Sequence, residues 1–228
     1  MNRYQAADPY TCTVSGRRIH VLRPDPASFV IQDIGHALAR INRFNGNLPA
    51  AYSVAQHSVL VSRMLPREHA LAGLLHDASE MVMSDVASPV KQLLPSASDC
   101  IEKLRAAVGL SKTLGVADRD KLIQLLYDQD VLDLMGSALR GYADLESGVQ
   151  GAINEAFGLP RRLDDRAHAA VKHADLRALA TEKRDLIAID DGPWEMTAGI
   201  EPHPDRIAPQ DPETATKRFL ERFEELVD

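Results

Sequence analysis

The sequence predicts a mostly α-helical protein, a single helical bundle with a small β-hairpin at its N-terminal end. Two observations carry this. Aromatics make up only 5% of the 228 residues while Ala and Leu are frequent, a composition that favours helix over strand. Apolar residues recur at three- and four-residue spacing through most of the chain, the pattern of helices with one buried face. The one strand-like stretch, Thr11–Leu22, turns at Ser15-Gly16 and is closed by Pro24 and Pro26. It is too short to be a sheet domain and is expected to pack on helices.

Helices follow in order. Asp33 caps a predicted helix over residues 33–43, with Ile34, Ala37, Leu38 and Ile41 on one face and His36 half-buried. Gly46, in Asn-Arg-Phe-Asn-Gly, stops it by allowing positive φ. A second helix covers residues 51–64 and carries His57. A third, residues 67–83, carries His76, Asp77 and Glu80 behind a Leu74-Leu75 core stripe, with His69 near its exposed start. Lys91 opens a short helix that Pro95 stops. Residues 101–108 and 121–139 have leucine-rich faces, and Asp128, Asp130 and Asp133 read as a solvated face. Residues 150–157 and 166–189 are the next helices. On the latter, Asp175 points from an apolar stretch, while His173, Glu182 and Arg184 read as surface or ion-paired groups. Residues 190–210 are irregular, anchored by the single Trp194. Asp211-Pro-Glu caps a last helix with Ala215, Phe219, Phe223 and Leu226 on one side. That apolar face suits self-association or an intramolecular contact equally.

The chain reads as one domain over 1–228, with no internal repeat. A net charge of −7 argues against nucleic acid polymers and anionic membranes, whose binding runs on phosphate neutralisation. It leaves a nucleotide substrate open. No run approaches the 18 apolar residues of a membrane span, and Cys12 and Cys100 stand far apart. These point to a cytoplasmic protein with reduced thiols and no cysteine-based metal site.

Chemistry concentrates in Leu74–Lys91. An imidazole beside a carboxylate, His76-Asp77, suits a divalent cation. Glu80 follows one turn later, within roughly a 100° arc of the same helix face. Three polar groups behind two leucines should be paired, set in a cleft, or bound to something.

His57, His76-Asp77 and Asp175 occur in an H…HD…D order. Around them stand Asn-Arg-Phe-Asn-Gly46, Tyr-Ser-Val-Ala-Gln-His57, His76-Asp-Ala-Ser-Glu80, Ser84-Asp85 with Pro89-Val-Lys91, and Ala174-Asp-Leu-Arg-Ala-Leu-Ala-Thr-Glu182. Together these resemble the HD-domain metal-dependent phosphohydrolases, in the branch of bacterial 5′-deoxynucleotidases and phage deoxynucleotide phosphohydrolases. The resemblance spans about residues 30–95 and 150–227. Residues 105–148 depart from it and read as a helical insertion.

The resemblance implies one divalent cation (Mn, Co, Fe, Ni, Mg or Zn) held by His57, His76, Asp77 and Asp175. It implies Glu80 as the acid–base group, Arg43 and Lys91 as phosphate contacts and Asp85 on the sugar side; Phe44, next to Arg43, reads as near base or sugar or equally as a core residue. The expected reaction is release of phosphate from deoxynucleoside monophosphates in a bacterial cell or phage-infected host. Removal of triphosphate from a dNTP needs the same metal site and is the alternative. A non-catalytic nucleotide-binding protein is a second alternative, and a signalling-nucleotide hydrolase using His69 and His173 for a second metal is a third.

Overall fold

A computed structural model describes residues 9–87, 91, 141–187, 192 and 194–227. The predicted features at residues 95, 101–108 and 121–139, Asp128, Asp130 and Asp133 among them, lie outside these. Backbone contacts divide the chain into two compact units: Met1–Ala87 with Gly148–Asp228, and Ser88–Ser147. The proposed insertion at 105–148 falls almost entirely in the second.

The first unit is helical with one hairpin, as the composition predicts. β1 (Tyr10–Cys12) pairs antiparallel with β2 (Arg18–His20), Thr11 opposite Ile19. Gly16 sits at φ 83 in the connecting turn, a conformation a side chain resists. Ile19 points into the helical core with no exposure. Asp33, expected as a helix cap, instead accepts hydrogen bonds from the Ser15 backbone N–H and from the Ser15 hydroxyl at 2.6 Å. That pairing fixes the hairpin tip against α1 (Ile31–Leu38), which starts two residues before Asp33.

α2 (Val54–Arg63) begins at Ser53, whose hydroxyl accepts from the Gln56 N–H. This satisfies one of the orphan donors of a helix start. α3 (Arg67–Leu75) and α4 (Glu80–Met83) replace the single helix expected over 67–83. Between them the Gln150 side chain donates to the Leu75 carbonyl at 2.7 Å and accepts from the Ser79 N–H at 3.1 Å. Those are the two groups that an unbroken helix would have joined, so the inserted amide opens the ladder at His76–Ser79. Tighter i→i+3 bonds, Ala78 N–H to Leu75 O and Glu80 N–H to Asp77 O, carry the chain across.

α5 (Tyr142–Ala156) supplies Gln150 and the buried Val149, Ala152 and Ile153. Gly158 at φ 77 follows its end. α6 (Asp165–Leu186) is capped by Asp164, which accepts from Ala167 N–H at 2.7 Å. Its buried face is mostly small: Ala167, Ala174, Ala178 and Thr181, with Val171 and Leu186. α7 (Pro212–Val227) is capped by Asp211 as predicted. It packs on α1, α2 and α3 and buries Ala215 and Phe219, so its apolar face serves an intramolecular contact. Among the described residues no helix is long and apolar enough to cross a membrane.

One ion cluster ties the irregular C-terminal segment to α6. Asp185 accepts from Arg184 at 2.7 Å, from Arg206 at 2.6 Å and from the Ile207 N–H at 2.8 Å. The Arg184 hydrogen bond, with help from the other two donors and against desolvation, brings the Asp185 pKa down to about 2. An aspartate in the unfolded chain titrates near pH ~4. The stabilisation is therefore fully present above that value and is lost as pH falls through about 2. Asp185→Asn is expected to lower the melting temperature at neutral pH and to converge on the parent protein as pH approaches about 2. Melting curves across the acid range check this, and a difference that does not shrink with acidity would count against it.

Candidate metal centre

Three helices bring the site together. His57 lies one turn into α2, His76 and Asp77 occupy the break after α3, and Asp175 sits midway along α6. The Nε2 atoms of His57 and His76 are 3.3 Å apart. Asp175 Oδ1 stands 3.3 Å from the first and 4.0 Å from the second. Asp77 Oδ2 stands 3.6 Å from His57 Nε2 and 3.2 Å from His76 Nε2. The His57, His76 and Asp175 donors all lie within 4.8 Å of one another, and this group can hold a metal ion.

Both imidazoles are held by their far nitrogen. His76 Nδ1 bonds the Gly73 carbonyl at 2.8 Å. A carbonyl only accepts, so Nδ1 carries the proton and, in the neutral ring, Nε2 presents a lone pair to the cluster. His57 Nδ1 bonds Glu182 Oε1 at 2.6 Å, with the same consequence.

Glu182 departs from its expected place. It is ion-paired but has no exposure at all. Its other oxygen, Oε2, accepts from Arg43 at 3.0 Å. Sequence reasoning passed it over because a Thr-Glu-Lys-Arg run reads as a solvated helix end. The available signal was its spacing: seven residues after Asp175 is close to two full turns, hence the same face of α6.

Arg43 opens a short 3-10 turn, Arg43–Gly46, whose Phe44 and Asn45 both have positive φ (56 and 52). Such a run costs of order 1–3 kcal/mol per non-glycine residue and persists only where neighbours enforce it. Here the ends are pinned, because Arg43 N–H bonds Tyr52 O and Val54 N–H bonds Ile41 O. The pinning fixes Arg43 relative to His57. Its guanidinium spans Glu182 and, at 3.6 Å, Asp77. Phe44 lies beneath the guanidinium, 5.6 Å from ring centroid to Cζ, and 6.3 Å from the Trp194 ring. Trp194 is half-buried as the anchor of its segment, with Lys183 over its face.

Electrostatics favour positive charge here. Desolvation and Arg43 oppose protonation of His57, but Glu182 and Asp175 outweigh them and raise its pKa to about 9. Desolvation opposes charge on Asp77, Asp175 and Glu182 too. Even so, the imidazoles lower the first two, and Arg43 with His57 lowers Glu182. Burial works against the Arg43 charge, yet Glu182 and Asp77 push its pKa up. Asp77, Asp175 and Glu182 thus hold their negative charge in a buried cluster shared with His57, the Arg43 guanidinium and, on the outer oxygen of Asp175, Lys172.

The remaining predicted residues are placed as follows. Glu80, 3% exposed, opens α4, its N–H on the Asp77 carbonyl at 3.0 Å. Asp85 is half-buried just past Ser84, which has φ 64. Lys91 belongs to the second unit, where its ammonium bonds Glu146 at 2.8 Å and lies over the Tyr142 ring. Lys172 holds the outer oxygen of Asp175 at 2.8 Å. His69 is half-buried beside Glu68 rather than on the surface, and His173 is exposed.

Fold and site together define a helical protein with a histidine–aspartate cluster able to hold a metal ion. No family model matches the sequence. It is 32% identical over 217 residues to the uncharacterized protein YfdR of Escherichia coli K12, covering 94% of this chain and 93% of that one. It is 30% identical over 195 residues to the uncharacterized protein RCAP_rcc00048 of Rhodobacter capsulatus, covering 82% and 77%. The chain belongs to the family of these bacterial proteins.

His57→Ala, His76→Ala and Asp175→Ala are each expected to weaken Mn²⁺ binding by more than about 100-fold, beyond what losing a supporting group costs. His69→Ala and His173→Ala should leave it unchanged. Titration calorimetry distinguishes the two sets. Equal losses in both would mean that the cation sits elsewhere.

Proposed function

We propose that this protein is a divalent-metal-dependent phosphohydrolase of deoxynucleotides, of the HD-domain type, releasing phosphate from deoxynucleoside 5′-monophosphates. The observation that carries the reading is the convergence of the His57 and His76 imidazole nitrogens with an Asp175 oxygen, all within 4.8 Å of one another, beside Asp77 Oδ2 at 3.2 Å from His76 and 3.6 Å from His57. A cation about 2.1 Å from its donors spaces neighbouring donors by about 3.0–3.4 Å, so the set fits a divalent ion with small adjustment. His57, His76, Asp77 and Asp175 would hold it. When bound, such an ion supplies a Lewis acid that polarises phosphorus–oxygen bonds and acidifies water.

The chain's own groups do the rest. Glu80 lies outside the donor set and takes the proton of the attacking water or returns it to the leaving oxygen. The Arg43 guanidinium, whose planar edge suits an anion, neutralises phosphate charge. Asp85 faces the sugar, and Phe44 borders base or sugar.

Incubation with dAMP and with dATP in the presence of Mn²⁺, followed by chromatography, tests the reaction. Inorganic phosphate and deoxyadenosine from dAMP are expected. Tripolyphosphate from dATP with inert dAMP would replace this reaction by a triphosphohydrolase, and nucleotide binding without turnover would leave a binding protein. Glu80→Ala should retain Mn²⁺ and lose about 10²–10⁴ in turnover. Turnover near that of the parent would remove Glu80 from the acid–base role.

A further inference from the structure

We propose that Glu182 is a positioning residue that ties the metal centre to the anion-binding arginine, one carboxylate oxygen holding His57 and the other holding Arg43. The inference rests on the metal-centre half of the function proposed above. Burying a carboxylate without water is costly unless every lone pair is used. A structural ion pair needs only the 3.0 Å bond to Arg43. The 2.6 Å bond to His57 Nδ1 does something more. It keeps the proton on Nδ1, aims Nε2 at Asp77 and Asp175, and raises the basicity of the ring.

The same helix face carries Asp175 seven residues earlier. α6 therefore delivers both a donor and the group that orients a donor from α2. Such a pair keeps its spacing because both ends ride on one rigid 22-residue helix. The second bond matters equally. With NH2 fixed on Glu182, the guanidinium reaches to 3.6 Å from Asp77 Oδ2 by its other nitrogen. Without Glu182, the buried Arg43 would have Asp77 as its nearest carboxylate and would compete there with a cation. Loss of Glu182 thus harms the metal centre twice: His57 loses its orientation, and Asp77 is drawn towards Arg43.

Glu182→Leu removes both bonds, whereas Glu182→Gln keeps the volume and an acceptor for the His57 Nδ1–H but removes the charge. Mn²⁺ affinity by calorimetry, the imidazole proton and nitrogen NMR spectrum, and the melting temperature are measured for each. Affinity is expected to fall about 10–100-fold in Glu182→Leu, and by a smaller factor in Glu182→Gln. The His57 Nδ1 proton resonance should shift in Glu182→Gln and vanish in Glu182→Leu. If Glu182→Leu does not fold, the Glu182→Gln affinity and resonance decide alone. A lowered melting temperature with parental Mn²⁺ affinity and an unmoved His57 resonance would overturn the proposal and leave Glu182 a structural ion pair. A parent protein that binds no Mn²⁺ overturns this proposal together with the metal centre. A parent that binds Mn²⁺ but hydrolyses no nucleotide sinks only the proposed reaction.

Discussion

A carboxylate with no access to water, Glu182, is the constraint around which the first unit is arranged. Charge in an apolar interior must be compensated at close range. Here Arg43 and His57 compensate it at 3.0 and 2.6 Å. Those contacts oblige the 42–53 loop, α2 and α6 to meet at one point. The strained left-handed run at Phe44 and Asn45 is acceptable because the loop ends are pinned and Arg43 is held. Tyr52, buried beside the same carboxylate, has its hydroxyl pKa pushed well up by burial and by the Glu182 charge, so it remains neutral.

The second arrangement of consequence is the break between α3 and α4. An unbroken helix would have committed the Leu75 carbonyl and the Ser79 N–H to each other. Gln150 takes both, and the chain winds tightly through His76 and Asp77. The Gly73 carbonyl then accepts from His76 Nδ1. Glu80 comes to start a new helix with its backbone on that of Asp77. A side chain from α5 thus decides how the His-Asp pair is presented. Small residues on the buried face of α6, Ala174 and Ala178 among them, allow the close approach to α2 that brings Asp175 within 3.3 Å of His57.

Much of the local structure was legible. Asp211 announced a helix start through chemistry confined to three residues, and it caps as read, whereas the helix read from residue 51 starts only at Val54, behind the Ser53 cap. Gly16 marked the hairpin turn, but α1 ends at Leu38, well before Gly46, whose positive φ closes the separate Arg43–Gly46 turn. Asp33 misled because its partner, Ser15, is 18 residues away across the hairpin tip. Glu182 and Gln150 were missed for the same reason: each does its work in another element. The donor order His57, His76-Asp77, Asp175 was visible as a pattern, but nothing in the local spacing measures the distances between three helices.

By itself, the sequence determined the helical class, the hairpin, the Asp211 cap of the last helix and the chemical character of the donors. These depend on φ preferences, side-chain acceptors and periodicity within a few residues. Tertiary structure alone decided that His57, His76, Asp77 and Asp175 converge, that the helix opens beside them, and that Glu182 is buried as the partner of both His57 and Arg43. The cost of burying a charge is set by what surrounds it, and the surroundings of Glu182 come from residues 125 and 139 positions earlier in the chain.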